Sequence, residues 1–204
     1  FLSRITFDLF YREEQTVVIT SADETSGVVA TEYLLSAEDL DIPALEQETF
    51  LPYEKALALA PDGEYVVYAR ITDRAGNVTY LRSDGMVLDA TAPAITGAEN
   101  GGVYCAAVTL TITDAYPVTV TVNGAPVELT PAEGTQLVTA TDPAGNESRL
   151  EITVNDGHTW GDWSSNGDDT HTRTCTISGC GASETESCTG GEATCVDRAV
   201  CEVC

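Results

Sequence analysis

Ile71-Thr72-Asp73-Arg74-Ala75-Gly76-Asn77-Val78-Thr79 and Ala140-Thr141-Asp142-Pro143-Ala144-Gly145-Asn146-Glu147-Ser148 are two versions of one phrase. Each follows an alternating apolar run and precedes another. The shared D-x-A-G-N core is turn chemistry. An aspartate carboxylate can cap turn amides, glycine supplies a positive φ, and asparagine tolerates left-handed backbone. A short loop of that kind between two alternating runs predicts a β-hairpin.

The flanking residues agree. Ile5, Phe7 and Leu9 share one face of Arg4-Ile5-Thr6-Phe7-Asp8-Leu9. The same alternation recurs in Gln15–Thr20, in Glu64–Ile71, in Val108–Thr113 and in Val118–Val122. Period-two spacing of β-branched and aromatic residues reads as half-buried strands. Asn123-Gly124 is a strong hairpin turn, leading into Pro126-Val127-Glu128-Leu129. Helix is confined to short turns: one opening at Ser36 and limited by Pro43, another within Glu54–Leu59. Asp89-Ala90-Thr91-Ala92-Pro93 reads as a linker, since Pro93 has no N–H for a ladder.

Composition removes several functions. Nine Lys and Arg face 33 Asp and Glu, for a formal charge of −24, and Lys55 is the one lysine. A nucleic-acid backbone or an anionic membrane demands a basic footprint, so neither is an expected partner. No apolar stretch reaches the ~20 residues a bilayer span requires. Phe1 and Cys204 read as the cut ends of an internal fragment. The sequence carries no G-x-S-x-G, H-E-x-x-H, P-loop or dinucleotide fingerprint, so no catalytic residue is assigned and the expectation is a non-enzyme.

The run Gly63–Tyr80, followed by Leu88-Asp89-Ala90-Thr91-Ala92-Pro93, resembles the bacterial Ig-like repeats of large Gram-positive, clostridial gut-type surface proteins. Ser26-Gly27-Val28 and Glu32-Tyr33 look like the early strands of that module. The resemblance implies an all-β chain: an Ig-like β-sandwich over 1–91, a second, shorter one over 92–156, and a loop-rich Cys-rich module over 157–204. It also implies an extracellular, cell-surface or wall-associated setting. The expected role is a non-enzymatic spacer or stalk whose partners are neighbouring domains of the same chain. The alternative is an adhesive module for glycans or host surface proteins.

Six of the seven cysteines fall in the last 30 residues, and both tryptophans and both histidines lie in the same segment, 157–204. So short and aliphatic-poor a segment needs disulfides or a metal to fold. The segment His158-Thr159-Trp160-Gly161-Asp162-Trp163, with Thr170-His171-Thr172-Arg173-Thr174-Cys175 after it, resembles a tandem Cys-rich repeat of similar surface proteins. Two chemistries stay open. Cys175/Cys180 and Cys201/Cys204 could form two knuckles around one tetrahedral zinc, with His158 or His171 as substitute ligands. The alternative is disulfides, which an exported Cys-rich segment favours. Cys105 reads as a small buried hydrophobe in a strand. Trp160 and Trp163 are the candidate sugar platform, set against a plainer role as the module's core. Acidic clusters such as Glu38-Asp39 and Asp168-Asp169 match no calcium loop, and Asp73 and Asp142 read as turn caps, so calcium is not expected.

Overall fold

The computed structural model describes residues 7–126 and 133–190. Ile5, Val127, Leu129, Cys195, Cys201 and Cys204 of the sequence reading lie outside them. Among the described residues the chain is all-β apart from one helical turn, Ile42–Leu45, and no helix is long and apolar enough to cross a membrane. It divides into two compact units. The first comprises Phe1–Pro93, Asp114–Val118 and Thr141–Glu147; the second comprises Ala94–Thr113, Thr119–Ala140 and Ser148–Cys204.

Strand Gly63–Asp73 organises the first unit. Its start pairs antiparallel with Met86–Leu88, which pairs parallel with Leu9–Tyr11. Its remainder pairs antiparallel with Val28–Ser36 on one side and Val78–Arg82 on the other. A smaller antiparallel pair, Gln15–Val17 with Leu57–Leu59, packs Val17, Leu57 and Leu59 against Val67 and Leu88. The opposite face of the same strand packs Val66 and Tyr68 against Leu45 and Phe50. Val66 through Ala69 are therefore all buried, and the strand is not half-buried as its alternation predicts. Layers on both faces, one a sheet and one a helical turn, override the one-sided pattern.

The helical turn also differs from expectation. It begins at Ile42 rather than Ser36, with the Asp41 side chain accepting the Ala44 N–H. Pro43 sits inside its first turn, where a missing N–H removes no helical bond. Ser36 instead accepts the Glu38 N–H in a local turn. Leu57–Leu59, expected as a turn, is a strand.

The second unit holds a five-stranded sheet in the order Gly102–Tyr104, Glu147–Val154, Gly134–Thr141, Thr119–Val122, Ala125–Pro126. The pair Ala94–Thr96 and Thr111–Thr113 faces it, and Val108, Leu110, Val138, Leu150, Ile152 and Val154 fill the core with Ile95 against them. Here alternation holds: Val138 and Ala140, then Leu150, Ile152 and Val154, point inward in turn. The Asn123-Gly124 hairpin forms with Val122 opposite Ala125, and both turn residues have positive φ. The same unit carries the Cys-rich sheet of Ser164–Ser165, Thr170–Thr174 and Ser183–Ser187.

Candidate metal centre

Cys105 follows the edge strand Gly102–Tyr104 and is 8% exposed, buried as its sequence setting predicts. His158 lies in the loop after Glu147–Val154. From there the chain pairs with the Cys-rich hairpin. The Thr176 N–H donates to the Thr159 carbonyl at 2.7 Å and the Gly161 N–H to the Thr174 carbonyl at 3.0 Å, with Trp160 bridged to Cys175. Cys180 ends a tight turn in which its N–H reaches the Ile177 carbonyl at 3.1 Å and Gly179 adopts φ +86°. A Cβ on Gly179 would lie 3.0 Å from the Val103 side chain, so only glycine lets this turn sit against the Gly102–Tyr104 strand.

These local constraints converge. Cys105, His158, Cys175 and Cys180 each offer one ligand atom, and all four atoms lie within 4.8 Å of one another. Cys180 Sγ is 3.3 Å from His158 Nδ1. A tetrahedral zinc with Zn–S of about 2.3 Å and Zn–N of about 2.0 Å separates its ligands by about 3.5–3.8 Å. Closing the cluster onto such an ion requires shifts of about an ångström or less by the same geometry. Disulfides suit the set poorly. Three thiols can form one disulfide and leave a thiol over, and Cys105, Cys175 and Cys180 are free thiols.

Two thiols of the cluster are shifted in opposite directions. Burial opposes ionisation of Cys175. Hydrogen bonds from the Ile177 backbone, the His158 ring, the Cys180 thiol and the Thr159 backbone outweigh it and bring the thiol down to about 7. Hydrogen bonding to Cys180, then burial and the nearness of Cys175, push Cys105 up to about 12. One proton-poor thiol, Cys175, thus sits against a Cys105 that keeps its proton. A metal ion would replace the thiol protons, since thiolates are the ligating form.

The sequence-derived ligands divide. Cys175, Cys180 and the substitute His158 meet in the cluster. The other substitute, His171, is 1% exposed and stands edge-on to Trp163 at 4.2 Å, outside the cluster. Cys201 and Cys204 lie outside the described residues. Cys105 is the ligand sequence reasoning missed; its one available signal is the odd cysteine count. The tryptophans are only partly open: the Trp160 and His158 rings meet at 4.8 Å, tilted by 40°, and the Arg173 guanidinium lies 5.2 Å from the Trp160 ring centre and 4.6 Å from that of Trp163.

No family model matches the sequence, and no curated protein matches it. Among solved structures, the fibronectin(III)-like modules of Clostridium thermocellum CbhA match 72% of this chain and 88% of theirs, at 15% identity and a TM-score of 0.27. A score that low leaves the fold resting on the strand pairing itself. That pairing defines a chain of all-β modules with sheets packed face to face.

Proposed function

We propose that this chain is a non-enzymatic segment of an extracellular bacterial surface protein, a spacer that holds its neighbours in place. Zinc, held by Cys105, His158, Cys175 and Cys180, fastens the Cys-rich hairpin to the preceding β-sheet. The observation that carries this reading is the meeting of four soft ligand atoms, one from the edge of that sheet and three from the segment after it. Four protein ligands close a tetrahedral site and leave no position for a substrate or an activated water, which is the mark of a structural rather than a catalytic zinc. The surface setting rests on the resemblance of Gly63–Pro93 to Ig-like surface repeats. The charge of −24 favours a soluble segment that repels its own copies.

The adhesive alternative places glycans on Trp160 and Trp163. Arg173 against both rings and His158 against Trp160 cover part of the surface a sugar would stack on, which favours the spacer. A glycan array on the zinc-loaded protein tests the choice. The spacer reading expects no reproducible binding; binding abolished by Trp160→Ala contradicts it. Limited proteolysis tests the fastening: a chelator is expected to open 157–190 to cleavage while the β-sheet core stays protected.

A further inference from the structure

A second convergence of ligand atoms lies in the first unit. Asp89, Asp114 and Asp142 each present one carboxylate oxygen, all within 4.8 Å of one another. Asp89 and Asp142 are each 5% exposed. Their hydrogen bonds orient the carboxylates without neutralising them. Asp89 Oδ1 accepts the Thr91 N–H at 2.9 Å, and Asp114 Oδ1 accepts the Tyr116 N–H at 2.9 Å. Asp142 takes both the N–H and the side-chain amide of Asn146. Asp89 Oδ2 is the independent sign of a missing partner: it is buried and accepts no hydrogen bond. Such an atom loses its water and gains nothing in return.

Among the described residues Asp89, Asp114 and Asp142 take part in none of the ion pairs, such as Arg70 with Glu32 and Arg82 with Asp39. Burial, against the Thr91 hydrogen bond, pushes the Asp89 carboxyl above the usual range, and the charges of Asp142, Asp114 and Asp62 push it further.

We propose that Asp89, Asp114 and Asp142 bind one calcium ion. Hard oxygen donors at 2.3–2.6 Å place neighbouring ligands about 3.4 Å apart and opposite ones about 4.8 Å apart, and the three oxygens, all within 4.8 Å of one another, fall inside that range. Three carboxylates, binding through one or both oxygens and completed by water, reach the 6–8 ligands calcium takes. Magnesium demands a tighter octahedron and keeps its waters, so the set favours the larger ion. The ion joins the linker residue Asp89 to the turn Asp142–Asn146, where the Asn146 amide already donates to the Asp89 carbonyl at 2.8 Å. Calcium thus stiffens the linker, a property that stands whether or not the zinc reading holds.

Calorimetric titration of the zinc-loaded full chain with calcium chloride tests this, with terbium luminescence sensitised by Tyr116 as a second readout. One ion per chain is expected, with a Kd of about 10⁻⁴–10⁻³ M as in other extracellular modules. At tenfold excess over Kd, Tm should rise by on the order of 3 °C. Asp114→Asn, which keeps the Tyr116 hydrogen bond, should weaken binding at least tenfold without lowering the calcium-free Tm; Glu13→Gln should change nothing. Should Asp114→Asn fold poorly, Asp89→Asn serves in its place. Absence of binding up to about 10 mM calcium, ten times the weakest expected Kd, overturns the proposal. An equal response in wild type and variant overturns it as well.

Discussion

The Asn146 side-chain amide donates to Asp142 Oδ2 at 2.7 Å and to the Asp89 carbonyl at 2.8 Å, while its backbone N–H reaches Asp142 Oδ1 at 2.9 Å. Asn77 repeats the local half of this on Asp73, with bonds of 2.7 and 2.8 Å, but is exposed. One motif thus serves as a simple hairpin turn in the first copy and as a buried clamp on the linker in the second.

The two copies should respond unequally to truncation. Asn146→Ala leaves the Asp89 carbonyl and Asp142 Oδ2 without their donor in a buried setting, a loss of about 2–3 kcal/mol. Asn77→Ala leaves groups that water can reach and should be several-fold milder. Chemical denaturation of both variants checks the order; equal losses would remove the clamp.

Much of this was legible in the sequence because it is local. The Asp-x-Ala-Gly-Asn turns and Asn123-Gly124 form where their side chains and φ values dictate, although the left-handed residue in each D-x-A-G-N turn is the glycine, and the asparagine instead closes on its aspartate. The alternation of the second unit survives because one face of its sheet is buried. Val66–Ala69 misled because the alternation read there implies one buried face, whereas packing covers both. Cys105 was legible as buried, though it lies just past the strand rather than in it, and its place in a ligand set was not, since its partners arrive from residues 158–180 through tertiary packing. Asp89 and Asp114 gave no signal at all: they reach Asp142 from separate loops, and no spacing rule spans them.

Acidity should act through Asp89 in the opposite direction to its action through Asp23, Glu32 and Asp73, whose carboxyls are held low. Asp89 has its carboxyl raised by burial and like charge. A raised folded-state value penalises the ionised native form, so stability is lost as pH climbs from the unfolded value near 3.9 through the folded one and returns on acidification. Asp89→Asn, which retains the Thr91 hydrogen bond at Oδ1, should raise Tm at pH 7 without calcium and narrow its pH dependence. A lowered Tm there would show that the Asp89 charge is stabilising.

Thiol chemistry should expose the same logic in the cluster of Cys105, His158, Cys175 and Cys180. In metal-free protein, Cys175 should alkylate with a midpoint near pH 7, its value of about 7 being set by hydrogen bonds that outweigh burial, while Cys105, pushed to about 12, stays inert at that pH. Zinc should protect both. Mass spectrometry of iodoacetamide-labelled peptides across pH 5–9 reads this directly, and equal labelling of the two would contradict it.

Gly179 should be intolerant of substitution through its effect on Cys180. Its φ of +86° disfavours any side chain, and a Cβ would crowd Val103 at 3.0 Å. Gly179→Ala should lower zinc affinity at least tenfold through displacement of the turn, a shift of about 1.4 kcal/mol. Gly181→Ala, also at positive φ but with no atom near its Cβ, separates backbone strain from the Val103 contact. Competition with a chromogenic chelator measures both.

Metal stoichiometry decides the central claim. Full-length protein purified under reducing conditions should contain one zinc per chain by plasma mass spectrometry, and Cys105→Ser should lose it although Cys175, Cys180 and His158 remain. Wild-type protein with no zinc and no free thiol among Cys105, Cys175 and Cys180, or a Cys105→Ser variant that keeps its zinc, would contradict the account.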